Sequence, residues 1–426
     1  MVDIKFIREH ADEVKDAAAK KNMDPGVIDE LLKVDEERRA LMTAAEAVRA
    51  EQKKAKDREA GAALKEKFKD TKEKLRPVEE RFAELMARVP NVISSDTPVG
   101  KGEEDNKEVF TWGEKRTFDF TPKTHIELGT ALDILDFDRG TKVAGFRGYY
   151  VKNDGVLLQM GIMMYALNKL VTKGFAPMIP PTLVKGFPLF GSGYFKGTSY
   201  DPEVDEIYQV ATSDKEATGE TSKDQKFLVG TAEPSLLAYY ANETVAADRL
   251  PLKMCGYSQC YRSEIGSYRK DVKGLYRVHE FMKVEQVVLV PADIDLANRL
   301  QDEMTAISGE MHEELGLPYR RLAICSGDMS AGKYRAFDLE AWLPGMNRWA
   351  ETGSASNFTD WQSRRLNVKY VDPATGERKF VYMLNNTALA TPRTFIAILE
   401  NYQTPDGTVE VPEVLQNYVG KQIIGA

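Results

Sequence analysis

The sequence predicts an α+β fold, a region of mixed helices and strands preceded by an N-terminal antiparallel α-helical coiled-coil arm. Three observations carry this. A heptad seam runs through residues 64–89, and two stretches at 253–264 and 276–290 bracket a basic loop with strand-like alternation. At 426 residues the chain also exceeds one ordinary core, so two domains are expected.

The arm comes first in the chain. Leu64, Phe68, Thr71, Leu75, Val78, Phe82, Leu85 and Val89 are spaced alternately four and three apart. Val34, Arg38, Leu41, Ala45, Val48, Gln52 and Ala55 repeat the pattern upstream with smaller and more polar members. Ala60-Gly61-Ala62 between the two runs is the expected reversal, because glycine tolerates turn geometry that strains other residues. Pro77 lies inside the second run and is expected to bend or loosen it, since it removes a backbone donor. The helical hairpin spans about 27–90, within an N-terminal domain of 1–105.

Charge is unevenly spread. The chain carries a net charge of -8, yet residues 49–76 hold 11 basic against 6 acidic side chains. A basic tip on an acidic protein suits attraction to a phosphate backbone, although a solvated Lys/Glu hairpin would look similar. A hydrophobic fraction of 42% with 29% charged residues describes a globular chain rather than a disordered one. No apolar run approaches the roughly 18–20 residues needed to cross a bilayer, and MVDIKFIREHADEVKD has no signal-peptide core. No membrane association is expected. Cys255, Cys260 and Cys325 lack CxxC spacing, so neither a disulfide framework nor a Cys/His zinc site is expected; buried thiols in a reducing cytoplasm fit better.

After Pro90, a stretch rich in turn formers and acids reads as a linker, and the second domain is expected to span 106–426. Residues 155–173 form a helix closed by Gly174, and an extended FAPMIPPTLV follows. In the strand pair, Arg277, His279, Phe281, Lys283 and Glu285 share one face, as do Ser258, Cys260, Arg262 and Glu264. If the strands are antiparallel neighbours, one face presents Arg262, Glu264, Phe281 and Glu285 together. That face offers a guanidinium for phosphate, a ring for a base and carboxylates for a cation. A hairpin with a polar outer face would explain the charges but would not require Phe281 among them.

YRSE (261–264) followed by a long loop and RVHEFMKVE (277–285) resembles motif 2 of a class II aminoacyl-tRNA synthetase. VGTAEPSL (229–236), ETGSASNFTDWQSRR (351–365) and MLNNTALATPRTFIAILENYQ (383–403) complete, in order, a resemblance to the seryl-tRNA synthetases that spans nearly the whole chain. The resemblance implies a class II catalytic domain, an antiparallel β-sheet flanked by helices, with motif 1 at about 155–181, motif 2 at about 253–286 and motif 3 at about 383–402. It implies ATP-dependent activation of L-serine to seryl-adenylate, then transfer of the seryl group to the terminal ribose of tRNA(Ser), with tRNA(Sec) a further substrate in some cells. The activating attack comes from a carboxylate already ionised, so the task is placement and charge stabilisation.

Each matched residue then has an implied role. Arg262 grips the α-phosphate, Glu264 holds the adenine end with Ser263 beside it, and Phe281 stacks on the base. Arg393 covers the other face of the base, and with Arg262 makes up the catalytic pair. Glu351 and Ser354 hold Mg²⁺, with Thr352 and Gly353 between them also at the ATP site. Serine is assigned to Thr231, Ala232, Glu233, Glu285 and Thr387; Glu233 and Glu285 serve its ammonium. A hydroxyl partner among Glu285 and Thr387 would reject alanine by leaving a buried group unpaired. A C2 homodimer through motif 1, an arm that reaches the long variable arm of tRNA(Ser), and a cytoplasmic location complete the implied picture.

The chain departs from the common family pattern in places. Asn386-Thr387 replaces the usual Gly-Ser, Thr352-Gly353 the usual Val-Ser, and Thr391-Pro392 the usual Val-Gly. The polar stretch 211–226 is expected to form a flap over the serine pocket. Two other readings compete: a paralogue that adenylates an amino acid for a carrier protein, and a non-catalytic tRNA-binding protein. The long arm argues against the first, and the presence of Arg262, Glu264, Glu285 and Arg393 against the second.

Overall fold

The computed structural model describes residues 1–425 other than 56, 212–214, 216–217, 221–223 and 266–272. Two short helices, α1 (Ile4–Glu9) and α2 (Ala11–Lys20), lead into the long pair α3 (Gly26–Lys54) and α4 (Arg58–Arg88). All fifteen expected seam positions are buried or half-buried, while their neighbours along the middle of the arm are largely exposed. At 31 residues, α4 extends about 46 Å at 1.5 Å per residue. Near its base, the Arg38 guanidinium lies 4.2 Å from the centre of the Phe82 ring, and Arg81 Nε donates to Glu30 at 3.0 Å.

One expectation about the arm is corrected. The reversal lies between Lys54 and Arg58, and Ala60-Gly61-Ala62 is helical. Asp57 supplies the signal that composition hid: its carboxylate caps α4 by accepting from the Ala60 amide at 3.2 Å. A Cβ on Gly61 would touch nothing within 4 Å, so glycine is not needed there. Helix α4 is assigned continuously through Pro77, which lies on its exposed side. There the freed carbonyl can turn to water.

The second region is built on one eight-stranded sheet. In chain order its strands are β1 (Lys107–Trp112), β2 (Ala176–Met178), β3 (Leu252–Tyr261), β4 (Glu280–Val290), β5 (Tyr319–Ala323), β6 (Arg335–Leu343), β7 (Arg348–Asn357) and β8 (Tyr382–Ala390). In space they run β1-β5-β6-β7-β8-β4-β3-β2, antiparallel except for the edge pair β2/β3. The rear face packs on α5 (Asn153–Thr172) and α7 (Ile294–Glu314), with Leu158, Ile162, Met304, Ile307, Val284 and Val288 in one buried cluster. Helix α6 (Glu233–Ala238) covers part of the front, and α8 (Arg393–Asn401) follows β8 directly.

Helix α5 ends at Gly174, whose φ of +83° suits glycine at a helix C-terminus. By length and composition α5 could cross a bilayer, which the sequence reading did not anticipate. It packs instead on the sheet, with Leu158, Ile162, Met163, Ala166 and Leu170 buried. Val156, Leu157, Met160 and Met164 remain exposed.

The stretch after Pro90 is not a loose tether. The Asn91 amide donates to Ala331 O at 2.8 Å, and its side chain donates to Phe358 O at 2.9 Å. Ser94 N and Pro98 O make further backbone bonds to Tyr334 and Ser326. Turn-forming composition marks irregular backbone here, but several bonding groups of that backbone are satisfied by the second region. The base of the arm joins the same contact, since Ile28, Leu31, Leu85 and Val89 share a buried cluster with Phe358 and Trp361.

Candidate active site

Strands β3 and β4 pair as the alternation requires, with Cys260 opposite Phe281, Ser258 opposite Lys283 and Gly256 opposite Glu285. The strands are shorter than expected, ending at Tyr261 and resuming at Glu280, so Arg262 and Glu264 stand just past the paired region. Glu264 has a φ of +55°, a strained choice for a non-glycine residue of the kind that clusters at functional sites.

Two bulges shape the neighbouring strands. Glu285 on β4 pairs with Thr387 and Val284 with Leu389, leaving Ala388 as the extra residue on β8. On β7, Gly353 pairs with Leu339 and Glu351 with Glu340, leaving Thr352 extra. Uninterrupted alternation would put Glu351 and Ser354, three apart, on opposite faces. The bulge brings both to the front, where they line one cleft with Arg262, Glu285 and Thr387. That cleft has a volume of about 850 Å³.

At the nucleotide end, Arg262 lies 5.5 Å from the centre of the Phe281 ring, and its Nε donates to Gly230 O at 3.4 Å. Arg277 approaches the Glu264 carboxylate at 3.3 Å and Arg147 at 3.8 Å. Arg393, from the first turn of α8, holds Glu351 twice: carboxylate at 3.0 Å and carbonyl at 3.1 Å. Burial opposes ionisation of Glu351, but Arg393, with Arg262 and Lys333 beyond it, outweighs this and keeps the carboxyl below its usual range. The Arg393 and Arg348 guanidiniums each lie 4.7 Å from the Tyr276 ring, which also borders this pocket. Thr352 and Gly353 border it too, although the Thr352 hydroxyl turns to the rear, 2.8 Å from His312. The Ser263 hydroxyl is buried without a partner among the described residues.

At the other end of the cleft the acids sit deeper. Lys283 Nζ lies 2.6 Å from Glu285 and donates to the Thr387 hydroxyl at 3.2 Å, and that hydroxyl donates to Glu285 at 3.3 Å. All three side chains are buried. Glu233 opens α6 and accepts from Gln362 Nε2 at 2.7 Å. Burial, reinforced by the Glu285 charge, pushes the Glu233 carboxyl from 4.5 up to about 7. Thr231 is buried beside it, its hydroxyl 3.5 Å from the Glu233 amide. Ala232 packs into the apolar cluster beneath α6, so its methyl serves the core. Cys260 is fully buried, and burial raises its thiol pKa, consistent with packing.

Most of the sequence-predicted residues line the cleft, Thr231, Ala232 and Ser263 do not, and several unassigned residues join those that do. Lys283 was visible on the right strand face but carried no role. Tyr194 and Asn385 line the cleft, and Asp338 pairs with Ser354 across β6/β7. Nothing local distinguishes these in the sequence. Burial and the Glu351 carboxylate push the Asp338 pKa upward, while Ser354 bonds its charged form. A carboxylate on Glu351, a hydroxyl on Ser354 and a second carboxylate form a hard oxygen set that suits Mg²⁺. Half of the expected flap over 211–226 and most of the basic loop after Glu264 lie outside the described residues.

Comparison with known proteins identifies the family. Residues 1–93 match the seryl-tRNA synthetase N-terminal domain, and residues 210–402 the tRNA synthetase class II core domain (G, H, P, S and T). The chain is 38% identical to a serine–tRNA ligase of Treponema denticola, with all of both chains covered. It is 39% identical to that of Thermobifida fusca, with 100% and 99% covered. Among solved structures, seryl-tRNA synthetase from Pyrococcus horikoshii complexed with ATP superposes with a TM-score of 0.89 at 33% identity, covering 100% and 99%. The cytoplasmic serine–tRNA ligase of Naegleria fowleri in complex with AMP gives 0.87 at 30%, covering 100% and 98%.

Proposed function

The chain belongs to the seryl-tRNA synthetase family, and on that premise we propose how its cleft carries out ATP-dependent joining of serine to tRNA. It is a serine–tRNA ligase, a class II aminoacyl-tRNA synthetase. The reading of the site is carried by one observation: Phe281 and Glu285, on one face of β4, line two adjoining pockets that share Arg262, Lys283, Glu351 and Thr387.

ATP lies across the nucleotide end, with its base on Phe281, Arg393 over the opposite face and Glu264 at the adenine edge. Arg262 takes the α-phosphate, where charge builds as serine's carboxylate attacks phosphorus and pyrophosphate leaves. Glu351 and Ser354, with Asp338 beside them, would hold Mg²⁺, which neutralises phosphate charge when bound. Serine enters the deeper end. Glu233 and Glu285 face its ammonium, Thr231 and Thr387 offer hydroxyl partners, and Lys283 keeps two buried acids from confronting one cation unbalanced. The seryl group then passes to the 3′-terminal ribose of tRNA(Ser), which the basic arm reaches.

The exposed apolar strip Val156, Leu157, Met160 and Met164 on α5 supports a homodimer through this helix. A cytoplasmic site of action suits the three buried free thiols. Serine-dependent exchange of pyrophosphate into ATP, followed by charging of tRNA(Ser), tests the whole reading. Exchange without charging would point to another acceptor, such as a carrier protein. Removing residues 42–72, which leaves the buried base of the arm in place, should spare exchange and cripple charging. Equal loss of both would overturn the arm's role.

A further inference from the structure

The site strands are held from behind by a buried polar network that no cleft residue's role requires. His312 and Ser308 sit one turn apart on α7, facing the rear of β7 and β8. The His312 ring is 1% exposed, with Nδ1 2.7 Å from Ser308 O and Nε2 2.8 Å from the Thr352 hydroxyl. A carbonyl only accepts, so Nδ1 carries the proton. Burial lowers the pKa of the ring and keeps it neutral, which leaves Nε2 bare to accept the Thr352 proton. That proton is shared with Leu339 O, 3.2 Å away. The residue so gripped is the extra one of the β7 bulge.

Ser308 serves the next strand. Its hydroxyl donates to Thr387 O at 3.0 Å and accepts from Asn386 Nδ2 at 2.8 Å. Gly353 lets the two strands close: a Cβ there would lie 3.2 Å from Thr387 O and 3.3 Å from Thr387 Cβ. Three departures from the common family pattern, Thr352, Gly353 and Asn386, thus meet in one unit behind the site.

We propose that Thr352, held by His312, is a positioning residue for ATP: it pins the bulge that turns Glu351 and Ser354 to the same face. Glu351 in turn places Arg393, so the effect reaches the nucleotide before any metal is bound. The inference rests on the ligase reading but fails separately from it, because absent serine-dependent exchange in the unaltered protein would sink the reading alone.

The test uses Thr352→Val, Thr352→Ser, His312→Phe and the Thr352→Val/His312→Phe double variant of the full chain. ATP affinity is measured by titration calorimetry in metal-free buffer, alongside KM for ATP and for serine in exchange and the melting temperature. Thr352→Val and His312→Phe should each weaken metal-free ATP binding by about fivefold to tenfold, with the double variant no worse than either. KM for serine should stay within about twofold, since Ser308 still holds β8, and Thr352→Ser should behave as the parent. Unchanged ATP affinity in folded single variants overturns the proposal. So do additive losses in the double variant, or a Thr352→Ser variant as weak as Thr352→Val. If His312→Phe does not fold, the Val/Ser comparison at position 352 still decides.

Discussion

The two faces of the central sheet are both polar where β4, β7 and β8 meet, but they are polar in different ways. The front carries charges: Arg262, Lys283, Glu285, Glu351, Arg393 and the nearby Glu233. The rear carries neutral hydrogen-bonding groups, namely Gln286, Ser308, His312, Thr352 and Asn386. Charges interact over distance and respond to a charged ligand, while neutral hydrogen bonds act only at contact and fix geometry. A site that must receive an ammonium and a triphosphate needs the first kind in front and gains from the second kind behind. The rear face also carries a cost: the Gln286 and Asn386 amide oxygens have no partner among the described residues.

The largest expected effect is on the front. Arg262→Ala should lower serine-dependent exchange by about 10³-fold, because it removes a preorganised donor at the phosphorus under attack. Among the described residues its guanidinium makes one long hydrogen bond, to Gly230 O, so melting should shift little. Near-normal exchange would remove Arg262 from the chemistry. The next effect mixes stability with function. Lys283→Met leaves Glu285 buried without its cation and should cost about 3–5 kcal/mol, read by denaturant unfolding. Adding Glu285→Gln should recover most of that stability while exchange stays lost. A double variant that regains exchange would show that the pair serves the fold alone.

The two faces also differ in how legible they were. Front residues sit on motifs whose order is distinctive, and the period of two was enough to bring Phe281, Lys283 and Glu285 together. The bulges at Thr352 and Ala388 were not legible, because a one-residue slip in pairing leaves no local mark in the sequence. Without the Thr352 bulge Glu351 and Ser354 would lie on opposite faces. The rear network was invisible because His312 and Ser308 lie about 40 to 80 residues from the strands they hold. The arm shows the same division. Its seam was legible to the residue, while its reversal was misplaced because a single aspartate cap outweighed a conspicuous glycine.

Ionisation separates the faces further. Glu233 binds its proton up to about pH 7 in the folded chain but only to about 4.5 when unfolded. Between those values the folded state holds the extra proton, so this group's contribution to stability falls as pH rises through the window, by on the order of 3 kcal/mol. Glu233→Gln should flatten that slope in denaturant midpoints measured from pH 4.5 to 7.5. Serine's ammonium favours the ionised form, so KM for serine should fall as pH rises toward and past 7 in the parent, and not in the variant. A parent profile that is flat across pH 7 would assign the ammonium to Glu285 alone.

The smallest effect is expected from Ser308→Ala, and its interest lies in what should not change. The substitution removes the bond to Thr387 O and leaves the Asn386 and Gln286 amides without that acceptor. Neutral hydrogen bonds of this kind contribute about 1 kcal/mol each, so unfolding should ease by about 1–2 kcal/mol. Thr387 then drifts relative to Glu285 and Lys283, and KM for serine should rise about threefold, near the 0.6 kcal/mol that a slightly misplaced contact represents. The pH dependence of that KM should keep its midpoint, because no charge near Glu233 has moved. Were the midpoint to shift with Ser308→Ala, the rear face would be acting on the electrostatics of the front, and the separation of geometry from charge would fail. Were KM for ATP to rise instead of KM for serine, Ser308 and His312 would be one clamp rather than two, each strand depending on both.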